Sequence, residues 1–158
     1  MLSHYDGRDA LIERLLEGPY RIVDVLPEQV PGNAGGQYAA VDRYYRRPDR
    51  LGDVYRRYGE ILLRLNCYED MEVAFDGGES WEINPDPAPF AEALEQAGSR
   101  GVPGFLRAVF PDRGAMIDLD FGDTWMTVYD PEGGLTDRLG RLAGAEGFFL
   151  WQPEEGRG

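Results

Sequence analysis

The sequence predicts an α+β fold, a mainly antiparallel sheet of about five to seven strands with helices packed on one face. Three observations carry this. The stretch Asp49 to Tyr68, DRLGDVYRRYGEILLRLNCY, places Leu51, Val54, Tyr55, Tyr58, Ile61, Leu62 and Leu65 at helical spacing, one apolar stripe opposite a charged face. From Gly104 to Tyr129 the apolar period changes to two. The breaks between those later segments, Asp112-Arg113-Gly114 and Gly122-Asp123, leave room for tight turns and none for crossover helices.

The elements follow in order. The first helix is expected from Gly7 to Glu17, with Leu11, Ile12, Leu15 and Leu16 inward and Ser3 or Asp6 as cap; Gly18 and Pro19 stop it. Tyr20 to Leu26 reads as a strand whose apolar residues fall on both faces, which suits a central or covered position. Residues 27–36, PEQVPGNAGG, are a loop, without the spacing of a nucleotide-phosphate cradle. Gln37 to Arg46 forms a short helix, and Pro48 separates it from the central one, for which Asp49 is the expected N-cap. On that central helix Asp53 precedes Arg57, and Glu60 precedes Arg64, by four residues, the favourable acid-before-base order.

Met71 to Phe75 and Ser80 to Ile83 read as a hairpin, with Asp76-Gly77 suited to a primed turn. Asp86 and Pro87 open a helix running to about Ala97, with Gly98 past its end. FLRAVFP, AMIDLDF and TWMTVY are three strands of a meander. Asp130-Pro131 starts a last helix with Leu135, Leu139 and Leu142 inward, and Phe148 to Trp151 is a closing strand. With neither repeat nor linker, residues 1–152 read as one domain and 153–158 as a flexible tail. A 158-residue domain buries roughly 70% of its unfolded surface.

Composition excludes several chemistries. All sixteen basic residues are arginine, so no lysine exists to form a Schiff base or reach a nucleotide phosphate; the bland cause is a GC-rich genome. His4 is the only histidine, Cys67 the only cysteine, and the serines are Ser3, Ser80 and Ser99, a poor stock for a nucleophilic relay or a zinc site. No catalytic residue is assigned, no cofactor is expected, and the enzyme reading is disfavoured. No apolar run is long enough for a membrane helix and acids stand near the N-terminus, so the sequence reads as soluble and cytoplasmic.

The net charge is −13 and uneven. Residues 43–64 hold seven arginines against Asp49, Asp53 and Glu60, whereas residues 65–158 hold six arginines against nineteen acids. Such an acidic half repels nucleic acid and anionic membranes and attracts a basic partner. Solubility alone would also account for it.

Asp118 and Asp120 are the acidic pair worth testing, with Asp123 close by. Alternate strand residues share a face, so the two carboxylates lie about 6–7 Å apart, close enough for Mg²⁺ or Ca²⁺ or for acid–base work. The pattern departs from the D-x-D strand of phosphatases in the placing of Thr124 and the lack of lysine. Trp81, Trp125, Trp151, Tyr20 and Tyr129 also fall on expected strands; beside the aspartates they would form an aromatic and acidic patch of the kind that anchors interfaces.

Small size, acidity and the lack of a catalytic constellation resemble the class traits of toxin-neutralising immunity proteins and other acidic inhibitors; the resemblance is one of composition and covers no motif. The leading expectation is therefore a protein-binding module for a basic partner, carried by Asp118, Asp120, Asp123 and Trp125. The alternative is a carboxylate-dependent metal hydrolase using Asp118 and Asp120. A third reading assigns Arg43, Arg46, Arg47 and Arg50, interleaved with Tyr44, Tyr45 and Tyr55, to a homodimer contact.

Overall fold

A computed structural model describes residues 4–75 and 80–153, with side chains from Gly7 onward. Among these residues five helices and seven strands are formed: α1 (His4–Leu16), β1 (Arg21–Asp24), α2 (Gly36–Tyr45), α3 (Pro48–Asn66), β2 (Glu72–Phe75), β3 (Trp81–Ile83), α4 (Pro87–Ser99), β4 (Phe105–Phe110), β5 (Ala115–Asp120), β6 (Met126–Tyr129), α5 (Thr136–Ala145) and β7 (Phe149–Trp151). A short 3₁₀ turn, Pro111–Arg113, joins β4 to β5. The strands make one sheet in the order β3-β2-β4-β5-β6-β1-β7, antiparallel at every pairing. The fold is α+β. No helix of the described residues is long and apolar enough to cross a membrane.

The period-two pattern of β5 explains the layering. Ala115, Ile117 and Leu119 point into the main core, beside Leu106 and Ala108 of β4 and Val128 of β6. There they meet Tyr55, Tyr58, Ile61, Leu62 and Leu65 of α3, Leu94 of α4 and Leu139 of α5, all buried. The stripe expected on α3 is therefore the one that packs.

The opposite face of the sheet has its own, smaller cover. Leu11, Ile12 and Leu15 of α1 pack on Val109 and Met116. Arg8 is buried with them, its Nε donating to Glu72 Oε1 at 2.8 Å and its guanidinium lying 4.3 Å from the Trp81 ring centre. A charge can be buried here because a carboxylate and an aromatic face replace its water. Helices thus lie on both faces, with α1 at one end of the second.

Several local expectations shift. Gly98 lies inside α4, not after it, because α4 crosses α3 there: a Cβ at Gly98 would stand 2.6 Å from the Leu51 carbonyl oxygen. Gly52, on the facing helix, is 3.0 Å from Ser99 by the same construction. Asp49 belongs to the first turn of α3, which begins at Pro48, with Arg47 at the cap position. The last helix starts at Thr136, five residues after Pro131. Asp130 still serves its N-terminus, its Oδ2 accepting from the Leu135 N–H and the Thr136 hydroxyl, each at 2.8 Å. β2 and β3 pair as expected, Glu72 opposite Ile83; the Asp76-Gly77 turn lies outside the described residues, as do residues 154–158 of the expected tail.

Candidate binding cavity on the second sheet face

The second face at the β6-β1-β7 end is not covered by α1. Alternation on β1 sends Val23 into the core and leaves Ile22 and Asp24 on this face, with Thr127 and Tyr129 of β6 and Trp151 of β7 beside them. The loop after β1 and the start of α2 rise over them and bring Leu26, Glu28, Val30 and Tyr38 into a shared wall. The result is a cavity of ≈ 590 Å³. Tyr20, Gln29, Trp125 and Pro153 complete its sides.

Aromatic rings dominate that lining. Tyr20 and Tyr129 stand with ring centres 6.2 Å apart and planes tilted by 49°. The Arg46 guanidinium lies 5.9 Å from the Trp125 ring centre. The indole Nε1 of Trp151 is buried, and no described group accepts from it.

The charged residues of the lining are Asp24 and Glu28, with no arginine among them. Asp24 Oδ1 accepts from the Val25 N–H at 2.7 Å. Burial raises its carboxyl above the ordinary 3.8, the Asp42 carboxylate adding to the rise while the Val25 and Leu26 amides oppose it. Tyr129 is raised as well, first by burial and then by the nearby Asp118 carboxylate. An aromatic cavity with a partly desolvated carboxylate and a second acid in its lining selects for positive charge.

Two tyrosines of α3 set the turn that carries Trp125. The Tyr55 hydroxyl accepts from the Gly122 N–H at 2.8 Å and donates to the Asp123 carbonyl at 2.7 Å. The Tyr58 hydroxyl donates to the Thr124 carbonyl at 2.5 Å, with the Val23 carbonyl 3.3 Å away. Burial pushes both hydroxyls well above their usual range, so they remain protonated donors.

The residues expected from sequence separate into distinct roles. Trp125 lines the cavity. Asp118 and Asp120 share the sheet face with it but do not line it. Asp118 is engaged by Arg107, directly across on β4, through Nε–Oδ1 and Nη2–Oδ2 bonds of 2.8 Å each. A metal at Asp118 would have to displace this two-pronged pair. Asp120 is exposed at the strand end. Asp123 lies in the turn with its Oδ1 4.0 Å from Arg46 Nη1, and burial followed by Asp120 raises its carboxyl. Among the described residues no group of three or more His, Cys, Asp or Glu side chains converges as a metal would require.

The arginine cluster is used largely within the chain. Arg46 bonds Asp42 through Nε at 2.8 Å and donates to the Gly122 carbonyl, tying α2 to the β5–β6 turn. Arg47 reaches Asp49 at 3.3 Å, and Arg47 and Arg50 lie 5.8 and 4.7 Å from the Tyr44 ring centre. Arg43 is exposed.

Asp24, Glu28 and Tyr38 went unmarked in the sequence. Asp24 had a signal, the lone acid in the otherwise apolar run after Arg21. Glu28 and Tyr38 had none, because their places depend on how the loop folds back. No protein-family model, curated protein or solved structure matches this chain.

Proposed function

We propose that this protein is a docking module for a basic polypeptide, and that it engages its partner through the aromatic cavity at the β6-β1-β7 end of the sheet. The observation that carries this reading is the convergence of Tyr20, Tyr38, Trp125, Tyr129 and Trp151 around Asp24 and Glu28. Aromatic anchors in a concave site, with acids and no base in the lining, have the composition of an interface core built for a cationic surface. The net charge of −13 adds long-range attraction for such a partner. The immunity-type inhibitor is one form of this function: it neutralises a basic protein by covering its cationic surface. Asp120 then belongs to the surroundings of the cavity, where charge accelerates encounter more than it holds the complex, while the charges of Asp118 and Asp123 are offset by Arg107 and Arg46.

The test is calorimetric titration of an arginine- and glycine-containing peptide into the protein at low and at physiological salt. Binding is expected to weaken with salt. It is also expected to fall about tenfold or more, ~1.4 kcal/mol, in Trp125→Ala and in Tyr38→Ala. Equal losses from removing any acid on the surface, with none from the two aromatic variants, would refute the cavity as the docking site.

A further inference from the structure

We infer that the cavity receives a single arginine side chain of the partner polypeptide, stacked among the aromatic rings with its guanidinium on Asp24. This rests on the docking function proposed above and specifies what the cavity reads.

The chemistry of the walls selects among cations. A quaternary ammonium would be satisfied by rings alone and has no N–H to give. Asp24 is an acceptor drawn partly out of water, and Glu28 lies in the same lining, so the preferred cation is one that donates hydrogen bonds. An ammonium donates but is compact and strongly hydrated, and gains little from flat rings. A guanidinium is planar, more weakly hydrated, stacks on aromatic faces and presents paired donors to a carboxylate. Tyr20, Tyr38, Trp125, Tyr129 and Trp151 put five aromatic side chains in the lining.

The size of the site points to a residue within a chain, not a free ion. At ≈ 590 Å³ the cavity falls within the ~300–1,000 Å³ of clefts that enclose ligands much larger than one ion. The turn that carries Trp125 is fastened by Tyr55 and Tyr58.

The experiment is a tryptophan-fluorescence titration with acetylated and amidated Gly-Arg-Gly, in which Trp125 and Trp151 line the cavity and Trp81 does not. Its citrulline counterpart, which keeps the shape and loses the charge, and N-ethylguanidinium are run in parallel. The arginine peptide is expected to saturate, with the citrulline peptide and the free cation each weaker by about tenfold or more. Asp24→Asn and Glu28→Gln should weaken the arginine peptide, Asp24→Asn by about tenfold, while Asp120→Asn leaves it within about twofold. Circular dichroism and thermal unfolding confirm that each variant is folded. Equal binding of arginine and citrulline peptides, or no saturable change, overturns the inference. N-ethylguanidinium binding as tightly as the peptide overturns the polypeptide source. Should a longer basic peptide depend on Trp125 and Tyr38 while no arginine-to-citrulline change affects it, this inference fails and the docking function stands. Loss of the Trp125 and Tyr38 dependence itself removes both.

Discussion

The Tyr58 hydroxyl of the central helix donates to the Thr124 carbonyl across 2.5 Å, so a helix on one face of the sheet fixes the turn that presents Trp125 on the other. Tyr58 is fully buried. Tyr58→Phe removes the donor and leaves a carbonyl without its partner, at a cost of about 1–3 kcal/mol. Urea denaturation is expected to show a lower midpoint with an unchanged slope. A midpoint equal to that of the wild type would mean that the turn holds without this bond.

The crossing of α3 and α4 leaves no space for a methyl group at Gly98. Gly98→Ala would place a Cβ 2.6 Å from the Leu51 carbonyl oxygen and 2.9 Å from the Gly52 nitrogen, backbone atoms that cannot turn aside as a side chain would. A loss of about 1–3 kcal/mol is expected. Gly144→Ala is the control, because a Cβ there meets nothing within 4 Å, and in a helix it should stabilise by about 0.5–1 kcal/mol. Thermal unfolding of the two variants should move in opposite directions.

Asp24 makes stability depend on pH in a defined direction. Its folded carboxyl is raised by burial, so the folded state holds this proton more tightly than the unfolded chain. The stability it contributes is complete below the ordinary 3.8 and is lost as pH rises through the raised value. Asp24→Asn is accordingly expected to raise the melting temperature at neutral pH and to lose that advantage below the ordinary carboxylate value. Asp123 is raised in the same direction, by burial and by Asp120, so the difference between variant and wild type isolates Asp24. The same gain at neutral and acid pH would rule out titration as its cause.

Arg107 and Asp118 face each other across β4 and β5 in a two-bond pair that is mostly shielded from water. Arg107→Ala leaves the carboxylate without its donor and is expected to cost about 1–3 kcal/mol. The double variant with Asp118→Ala should recover part of that loss, which a double-mutant cycle in urea measures. Purely additive losses would show that the pair contributes nothing beyond its separate side chains.

The helices were legible because burial imposes a local period: the stripe of α3 is written in seven apolar residues that need no knowledge of their partners. The strands were legible for the same reason, down to the alternation that puts Ile117 inward and Asp118 outward. Helix ends were read less well. Gly98 looked like a stop because glycine often ends helices, whereas here it answers a close approach by another helix.

Sequence by itself therefore determined the α+β class, the buried stripe of α3, the alternation of β5 and the excess of acid over base, all of which follow from short-range periodicity and counting, whereas Leu16, expected inward on α1, is exposed. Only the tertiary structure decided where the cavity is. β1, near the start of the chain, inserts between β6 and β7 at its end, and this places Asp24 and Tyr20 beside Trp125, Tyr129 and Trp151. It likewise set Arg107 against Asp118, taking the most conspicuous acid of the sequence into a structural pair. Alternation along a strand states which way a side chain points, but strand order depends on the packing of the whole sheet, and neighbours more than a hundred residues apart leave no local trace of one another.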